Sequence, residues 1–327
     1  MPVLFLGISL VSFGLMNLVP GDVTTTEAAL NPRVSPEDLA RMKTMYGLDK
    51  PFFERYWLWL EKMAVFDFGD SLSPHHRPVF WERKNEEGKI QNGLIQEALF
   101  VTLLVNALAF TLTFAAGILF GILCAWGRGR FWEPFLSSGL VAAYATPSFW
   151  LALLFIYALG VLLPVFPVSG MTSLGFEHFS WWHKLLDLMW HLLLPVVMLS
   201  FSGFASLALF LRGSLAEALA AEMVVAARAR GLSEWRVWRH ALKNALLPVI
   251  NILGLSLPGL VGGSVIVESI FGLPGMGRLF FQAVTMRDYP VVMGIVVVGA
   301  ILTLSGTFLA DLALAWADPR VRRGMRG

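Results

Sequence analysis

Six stretches of the chain are apolar with no charged residue in their interiors. They cover residues 2–19, 99–126, 136–163, 190–211, 246–270 and 290–316, lengths of 18, 28, 28, 22, 25 and 27. A helix needs about 20 apolar residues to cross about 30 Å of hydrocarbon. The pattern therefore predicts an all-α membrane protein with six transmembrane helices. Charge touches these runs only near their ends, at Glu268 and Asp311, with His191 at the edge of the fourth. The first run is the shortest. It starts almost at Met1, with no Lys or Arg ahead of it and no small-residue cleavage site after it, so it reads as a retained helix rather than a cleaved leader. Its shortness fits a late-assigned start or a slightly truncated helix.

The polar segments between the runs predict orientation. Segments 127–135, 212–245 and 318–327 carry 12 basic residues, whereas 164–189 and 271–289 carry three. Basic residues in short loops stay on the cytoplasmic side. The expected organisation is a first helix (1–19), an external segment (20–98), a core of five further helices (99–317) with a cytoplasmic loop at 212–245, and a cytoplasmic tail (318–327).

Segment 20–98 is too long for a bare loop. Ser35 with Pro36 and Asp38 signals one helix start, and Pro51 opens a second helical stretch through Met63, rich in aromatic residues. Two readings fit it: a helical cap on the membrane surface, or a contact for an external partner. Residues 82–97 read as an exposed polar insertion. Trp181, Trp182 and Trp190 fit interfacial anchoring. His178, His183 and His191 are spaced too irregularly for a metal, and His75-His76 has no completing ligands.

Composition agrees with the runs. Hydrophobic residues make up 56% and charged residues 15%, against about 45–50% and about 25% in soluble domains. Net charge is +2 with no strongly basic block, so nothing points to nucleic acid. The single cysteine, Cys124, excludes an internal disulfide and a cysteine metal site.

Residues 222–248 carry the most information. A small-residue helix leads to Arg230 and breaks at Gly231, which can take the left-handed conformation. Ser233 can cap a second helix directed back to the membrane. Ala226, Ala227 and Ala229 allow close approach of a partner. This stretch resembles the loop of binding-protein-dependent importer permeases that docks on the ATPase subunit. The general motif is Glu-Ala-Ala, three residues, then Gly. Ala226, Ala227 and Gly231 match it, and Val225 replaces the Glu. The match is closer to the dipeptide/oligopeptide branch, in Ala227-Arg228-Ala229-Arg230-Gly231-Leu232-Ser233 and in Arg239-His240-Ala241-Leu242-Lys243-Asn244-Ala245-Leu246-Leu247-Pro248.

Further stretches resemble the same branch. They include Leu18-Val19-Pro20-Gly21-Asp22, Tyr46-Gly47-Leu48-Asp49-Lys50-Pro51 and Asp67-Phe68-Gly69-Asp70-Ser71-Leu72. Thr146-Pro147-Ser148-Phe149-Trp150, Pro167-Val168-Ser169-Gly170, residues 268–277 and Asp318-Pro319-Arg320 follow in order. The resemblance covers almost the whole length and implies a type I ABC importer permease fold in the plasma (inner) membrane. It implies a second, non-identical permease subunit, two ATP-binding subunits and an extracytoplasmic solute-binding protein, with lipid around the chain. The sequence has no Gly-x-x-x-x-Gly-Lys-[Ser/Thr] phosphate loop, so ATP and Mg are expected on the partner subunits, with no cofactor or metal here.

The expected role is therefore a channel subunit, not an enzyme, that moves di- or oligopeptides. Other relatives of this type carry nickel or oligosaccharides. The coupling loop comprises Ala226, Ala227, Arg228, Arg230, Gly231, Leu232 and Ser233. Candidates for the translocation path and its hinges are Asn106, Pro147, Gly254, Pro258, Gly262 and Glu268, since glycine and proline permit bending and close packing and polar residues within spans are functional candidates. Glu268 is expected to guard the entrance, and Asp311 to pair with tail arginines. A stand-alone secondary transporter would call for paired half-repeats with a charged midplane site, and neither is visible. An interfacial enzyme would call for a nucleophile–base set, and none is visible either.

Overall fold

The computed structural model describes residues 2–18, 49–73, 77–84, 88 and 90–317, with 35, 37, 40 and 44. Most of the stretches 18–22 and 46–51, the helix start near Ser35, His75-His76 and the tail 318–327 lie outside the described residues. So does the side chain of Asp311.

Eleven helices are described: α1 (Pro2–Leu18), α2 (Phe52–Ala64), α3 (Leu94–Trp126), α4 (Glu133–Ala145), α5 (Ser148–Phe155), α6 (Trp181–Ala220), α7 (Glu222–Ala229), α8 (Glu234–Ser256), α9 (Val265–Ile270), α10 (Met276–Met286) and α11 (Tyr289–Ala317). A π-helical segment, Ile156–Leu162, continues α5, and a 3₁₀ turn, Leu257–Val261, continues α8. Two short antiparallel strands, β1 (Arg83–Lys84) and β2 (Ile90–Gln91), pair within the polar insertion.

Among the described residues, four helices are long and apolar enough to cross a membrane: α3, α6, α8 with its 3₁₀ extension, and α11. The pair α4 and α5 with its π segment makes a fifth if it is one broken span. α1 has 17 described residues, about 25 Å of helix, which falls short of the hydrocarbon thickness.

The third apolar run was expected to be one crossing with a hinge candidate at Pro147, and it is bent by 104° between α4 and α5. Pro147 is the cause. The residue before a proline is driven out of the helical region, and Thr146 is extended at φ −84°, ψ 130°. Pro147 then starts α5, its carbonyl accepting from the backbone N–H of Trp150 and Leu151. Pro195 behaves differently. It lies inside the 40-residue α6 without ending it.

The described chain forms two compact units. In the first (residues 1–102, 261–265 and 274–304), α1 docks on α2 through Phe13, which meets the rings of Phe52, Tyr56 and Trp59 at 5.4–5.6 Å. The core gathers Phe68, Val79, Ile95, Met276, Val291 and Val297. Gly294 is needed there, because a Cβ would stand 2.7 Å from Ile95 Cδ1. The 82–97 insertion is exposed only in part. Leu94 already opens α3, and Ile95 is fully buried.

The Asp67–Leu72 stretch is explained by this unit. Asp67 accepts from the Gly69 N–H at 3.1 Å, and Asp70 pairs with Arg83 at 2.8 Å. The Ser71 hydroxyl donates to the buried Asp288. Asp288 also accepts from the backbone N–H of Leu72 at 3.2 Å and Val291 at 3.4 Å. The last contact makes it the N-cap of α11.

In the second unit (residues 103–260, 266–273 and 305–327), α3 and α6 pack through glycines. A Cβ on Gly117 would stand 2.7 Å from Leu207, one on Gly121 2.9 Å from Leu211, and one on Gly203 3.1 Å from Thr113. Small residues four apart let membrane helices approach closely. The Pro167–Gly170 stretch is tied to residues 268–273 by a hydrogen bond from Gly170 N–H to the Phe271 carbonyl, 2.8 Å. Asp187 on α6 holds the preceding loop by accepting from the Ser173 N–H and hydroxyl at 2.9 and 2.5 Å. His183 and His191 bond Ser180 and the Asp187 carbonyl respectively.

Candidate functional site

Residues 212–245 are almost entirely helical. α6 runs on through Ala220, the single extended residue Ala221 turns the chain, and α7 follows. The break at Gly231 has the geometry of a Schellman cap. Gly231 sits at φ +78°. Its N–H donates to the Arg228 carbonyl at 2.9 Å, and the Leu232 N–H donates to the Ala227 carbonyl at 3.2 Å. Those are the 5→2 and 6→1 bonds that satisfy a helix's last carbonyls. No atom lies within 4 Å of a Cβ built on Gly231, so its backbone angle, not crowding, calls for glycine.

The next helix starts at once. Ser233 occupies the N-cap position of α8 and its carbonyl accepts from Arg236 and Val237. The expected side-chain cap is not made. α8 then continues through Pro248 to Ser256 without a boundary where the loop was expected to meet the fifth run. The joint and the first part of the apolar run, to Ser256, therefore lie on one continuous helix.

Two contacts fix the angle of the joint. Val224 of α7 packs on Val237 and Ala241 of α8, with Ala218, Leu219 and Leu232 closing the cluster. Val224 and Val237 are at most 1% exposed, and each such side chain contributes about 1.5–3 kcal/mol. Arg228 also clamps Glu234 across the joint with two hydrogen bonds of 3.0 and 3.2 Å. Both residues are well exposed, so this pair adds only about 0.2–1 kcal/mol.

What the loop leaves uncovered is unusual. Met223, Val225 and Trp235 are 60%, 55% and 78% exposed, and Ala226 and Ala229 are exposed beside them. Large apolar side chains left exposed on a polar segment are the kind of surface that partners cover. The sequence expectations named the alanines, Arg228, Arg230, Gly231, Leu232 and Ser233, and missed Trp235 and Met223. Trp235 and Trp238 stand three apart in a basic segment, and that spacing does not tell which of them is exposed.

The path candidates divide. Asn106 and Pro258 come together: the Asn106 side-chain amide donates to the Leu260 carbonyl at 2.8 Å, in the 3₁₀ turn that contains Pro258. A Cβ on Gly306 would meet the Pro258 Cα at 3.2 Å. Gly254 is buried on α8. Glu268 is 4% exposed on α9, and its carbonyl accepts from Leu273 N–H across a second cap with Gly272 at φ +66°. Pro147 stands apart at the α4–α5 bend. Gly262 falls in the other unit. The fifth apolar run is thus not one continuous helix: α8 ends at Ser256 and the run resumes as α9.

A crevice of about 280 Å³ lies between α3, α6 and α8, lined by Phe114, Phe210, Thr113, Ser206 and Ser256 among others. Three hydroxyls in an apolar wall were not legible as a set, because they come from three distant runs. Among the described residues no group of His, Cys, Asp and Glu is placed to hold a metal.

The model of the Binding-protein-dependent transport system inner membrane component matches residues 117–323. The chain belongs to this family. The family's N-terminal membrane-component model matches residues 1–103. The permease is 36% identical over 322 residues to the oligopeptide transport system permease protein AppB of Bacillus subtilis, covering 97% of this chain and 95% of that one. It is 33% identical to the di/tripeptide transport system permease protein DppB of Pseudomonas aeruginosa, covering 97% and 95%. Against OppB of Haemophilus influenzae, an oligopeptide transport system permease protein, the identity is 32%, covering 98% and 96%. A crystallised amino acid ABC transporter with histidines has the same fold over 68% of this chain and 93% of its own, with a TM-score of 0.51 and 21% identity. The chain is a multi-pass inner-membrane permease, and its family places it beside ATPase and binding-protein subunits.

Proposed function

We propose that this permease forms one half of the channel of a peptide importer, and that the joint at Gly231 transmits the ATPase cycle to it. The observation that carries the reading is the rigid, glycine-capped α7–α8 elbow with an uncovered Met223–Val225–Trp235 face. Ala226, Ala227, Arg228, Arg230, Gly231, Leu232 and Ser233 form the elbow. A partner that grips that face moves α8 as a rod, because Val224, Val237 and the Arg228–Glu234 pair lock the elbow to it. No covalent chemistry is needed in this chain. ATP and Mg sit on two separate ATPase subunits, a second permease completes the channel, and an extracytoplasmic binding protein delivers the solute.

In this reading the permease crosses the membrane six times, with α1 the first crossing and α4–α5 one broken crossing. Both termini and the elbow face the cytoplasm, and residues 20–98 lie outside. The path runs past Asn106, Pro147, Gly254, Pro258, Gly262 and Glu268, and the Thr113, Ser206 and Ser256 hydroxyls offer hydrogen bonds to peptide amides. Peptides are supported by the names of the relatives.

The test is reconstitution. The permease is placed in proteoliposomes with its partner permease, ATPases and binding protein, and uptake of a labelled tripeptide is measured. ATP-dependent uptake that needs every component is expected. Uptake driven by an ion gradient without the ATPases sinks the reading.

A further inference from the structure

At the end of α3 opens a second cavity, of about 210 Å³, whose walls include Cys124, Ala125, Arg128, Arg212, Gly213 and Ala216. Two guanidinium groups face one small space. Arg212 is held from behind: its Nε donates to Glu133 Oε1 at 2.9 Å, and the Ser137 hydroxyl donates to the same oxygen at 2.6 Å. Glu133 is 7% exposed, while the Arg212 side chain is 42% exposed. A guanidinium carries five N–H donors, and Glu133 engages the Nε edge. Arg128 makes no ion pair among the described residues. The other walls are small or apolar side chains and supply no competing carboxylate.

The surroundings fix the kind of place this is. The cavity sits where a 33-residue apolar helix ends. Trp126 and Trp132 lie there 6.4 Å apart, Arg130 stacks on Trp126 at 4.0 Å, and Phe131 and Phe135 are 85% and 78% exposed. Aromatic residues gather at the headgroup level of a bilayer. A basic pocket between membrane helices at that level suits an anionic headgroup. Arg128 alone has a simpler role, offsetting the C-terminal dipole of α3. That role does not explain a second, carboxylate-braced arginine on the same cavity.

We propose that the cavity between the end of α3 and α6 binds a phosphate group through Arg128 and Arg212, with Glu133 and Ser137 as positioning residues for Arg212. The group is carried by an anionic phospholipid or is free in solution. Arginine suits this chemistry because its planar fork matches phosphate oxygens.

The experiment uses the full-length permease purified with its partner subunits. Phosphatidylglycerol, phosphatidylcholine and inorganic phosphate are titrated in separate arms. Bound lipid is counted by native mass spectrometry, and bound inorganic phosphate by equilibrium dialysis of the radiolabelled ion. Phosphatidylglycerol is expected to be retained over phosphatidylcholine. Arg128→Gln is expected to weaken retention about fivefold without changing thermal stability. Because Arg212→Gln alone strands a buried carboxylate, it is paired with Glu133→Gln, and this double variant is expected to lose retention as well. If inorganic phosphate binds, binds less to Arg128→Gln, and phosphatidylglycerol shows no preference, the site stands with a soluble anion as its ligand. Equal retention of the two lipids with no Arg128-dependent phosphate binding overturns the proposal. So does an unchanged preference in Arg128→Gln.

Discussion

Substitution at Gly231 separates backbone geometry from packing. The cap at the joint is stabilised by two backbone hydrogen bonds, about 1 kcal/mol each, and by the half-buried Leu232, about 1 kcal/mol more, apart from the packing of Val224 on Val237. Alanine at φ +78° costs about 1–2 kcal/mol and meets no neighbour. Gly231→Ala therefore leaves the joint mostly formed, and uptake falls by less than about tenfold. Asparagine tolerates the left-handed region better, so Gly231→Asn stays close to the parent. Proline cannot reach φ +78° and removes the N–H that donates to Arg228. Gly231→Pro loses the cap and with it the angle of the joint, and abolishes uptake, while the subunit remains in the membrane. The assay is ATP-driven uptake in proteoliposomes, normalised to permease content. Parental uptake by Gly231→Pro, or an order other than Asn, Ala, Pro, refutes the reasoning.

Other variants probe the surrounding structure. Ala227→Glu is expected to leave membrane insertion intact and to abolish uptake and ATPase co-purification. Gly121→Leu forces a side chain against Leu211, whose Cβ would lie 2.9 Å from a Cβ on residue 121. Overpacking of about 1–3 kcal/mol should lower the melting temperature in detergent. Asp288→Ala strips the N-cap of α11 and the acceptor for Ser71 and Leu72. The cap alone is worth about 0.5–2 kcal/mol, and limited proteolysis near residues 67–73 should accelerate. Arg228→Ala removes an exposed pair worth under about 1 kcal/mol, so thermal stability should hardly move.

The elbow was legible because its signals are local. A left-handed glycine and a run of small residues are visible within ten positions of sequence, and the break falls at Gly231 as expected. Helix ends were less legible. Counting uncharged runs cuts α6 at Trp190 and Leu211, yet the helix holds Lys184, Asp187 and Arg212, because Asp187 is satisfied by Ser173 and Arg212 by Glu133. Such partners are distant in sequence and leave no periodic trace. The bend at Pro147 was marked as a hinge candidate, but its angle depends on Thr146 leaving the helical region. Ile95 was hidden by polar neighbours, although it is the largest fully buried side chain of its unit's core. Asp288 had a readable signal, an acidic residue just ahead of Tyr289-Pro290, which the count of basic residues in 271–289 passed over.

The central claim is that the elbow touches the ATPase from the cytoplasmic side. Cys124 is the only native cysteine, so Cys124→Ser followed by Ala226→Cys gives a single exposed thiol on the elbow. In membranes containing the assembled importer, a bifunctional thiol reagent should join that position to the ATPase subunit, and an impermeant maleimide added outside intact cells should not reach it. Labelling from outside, or no crosslink in an assembled complex whose ATPase carries a cysteine beside its permease-facing groove, contradicts the account.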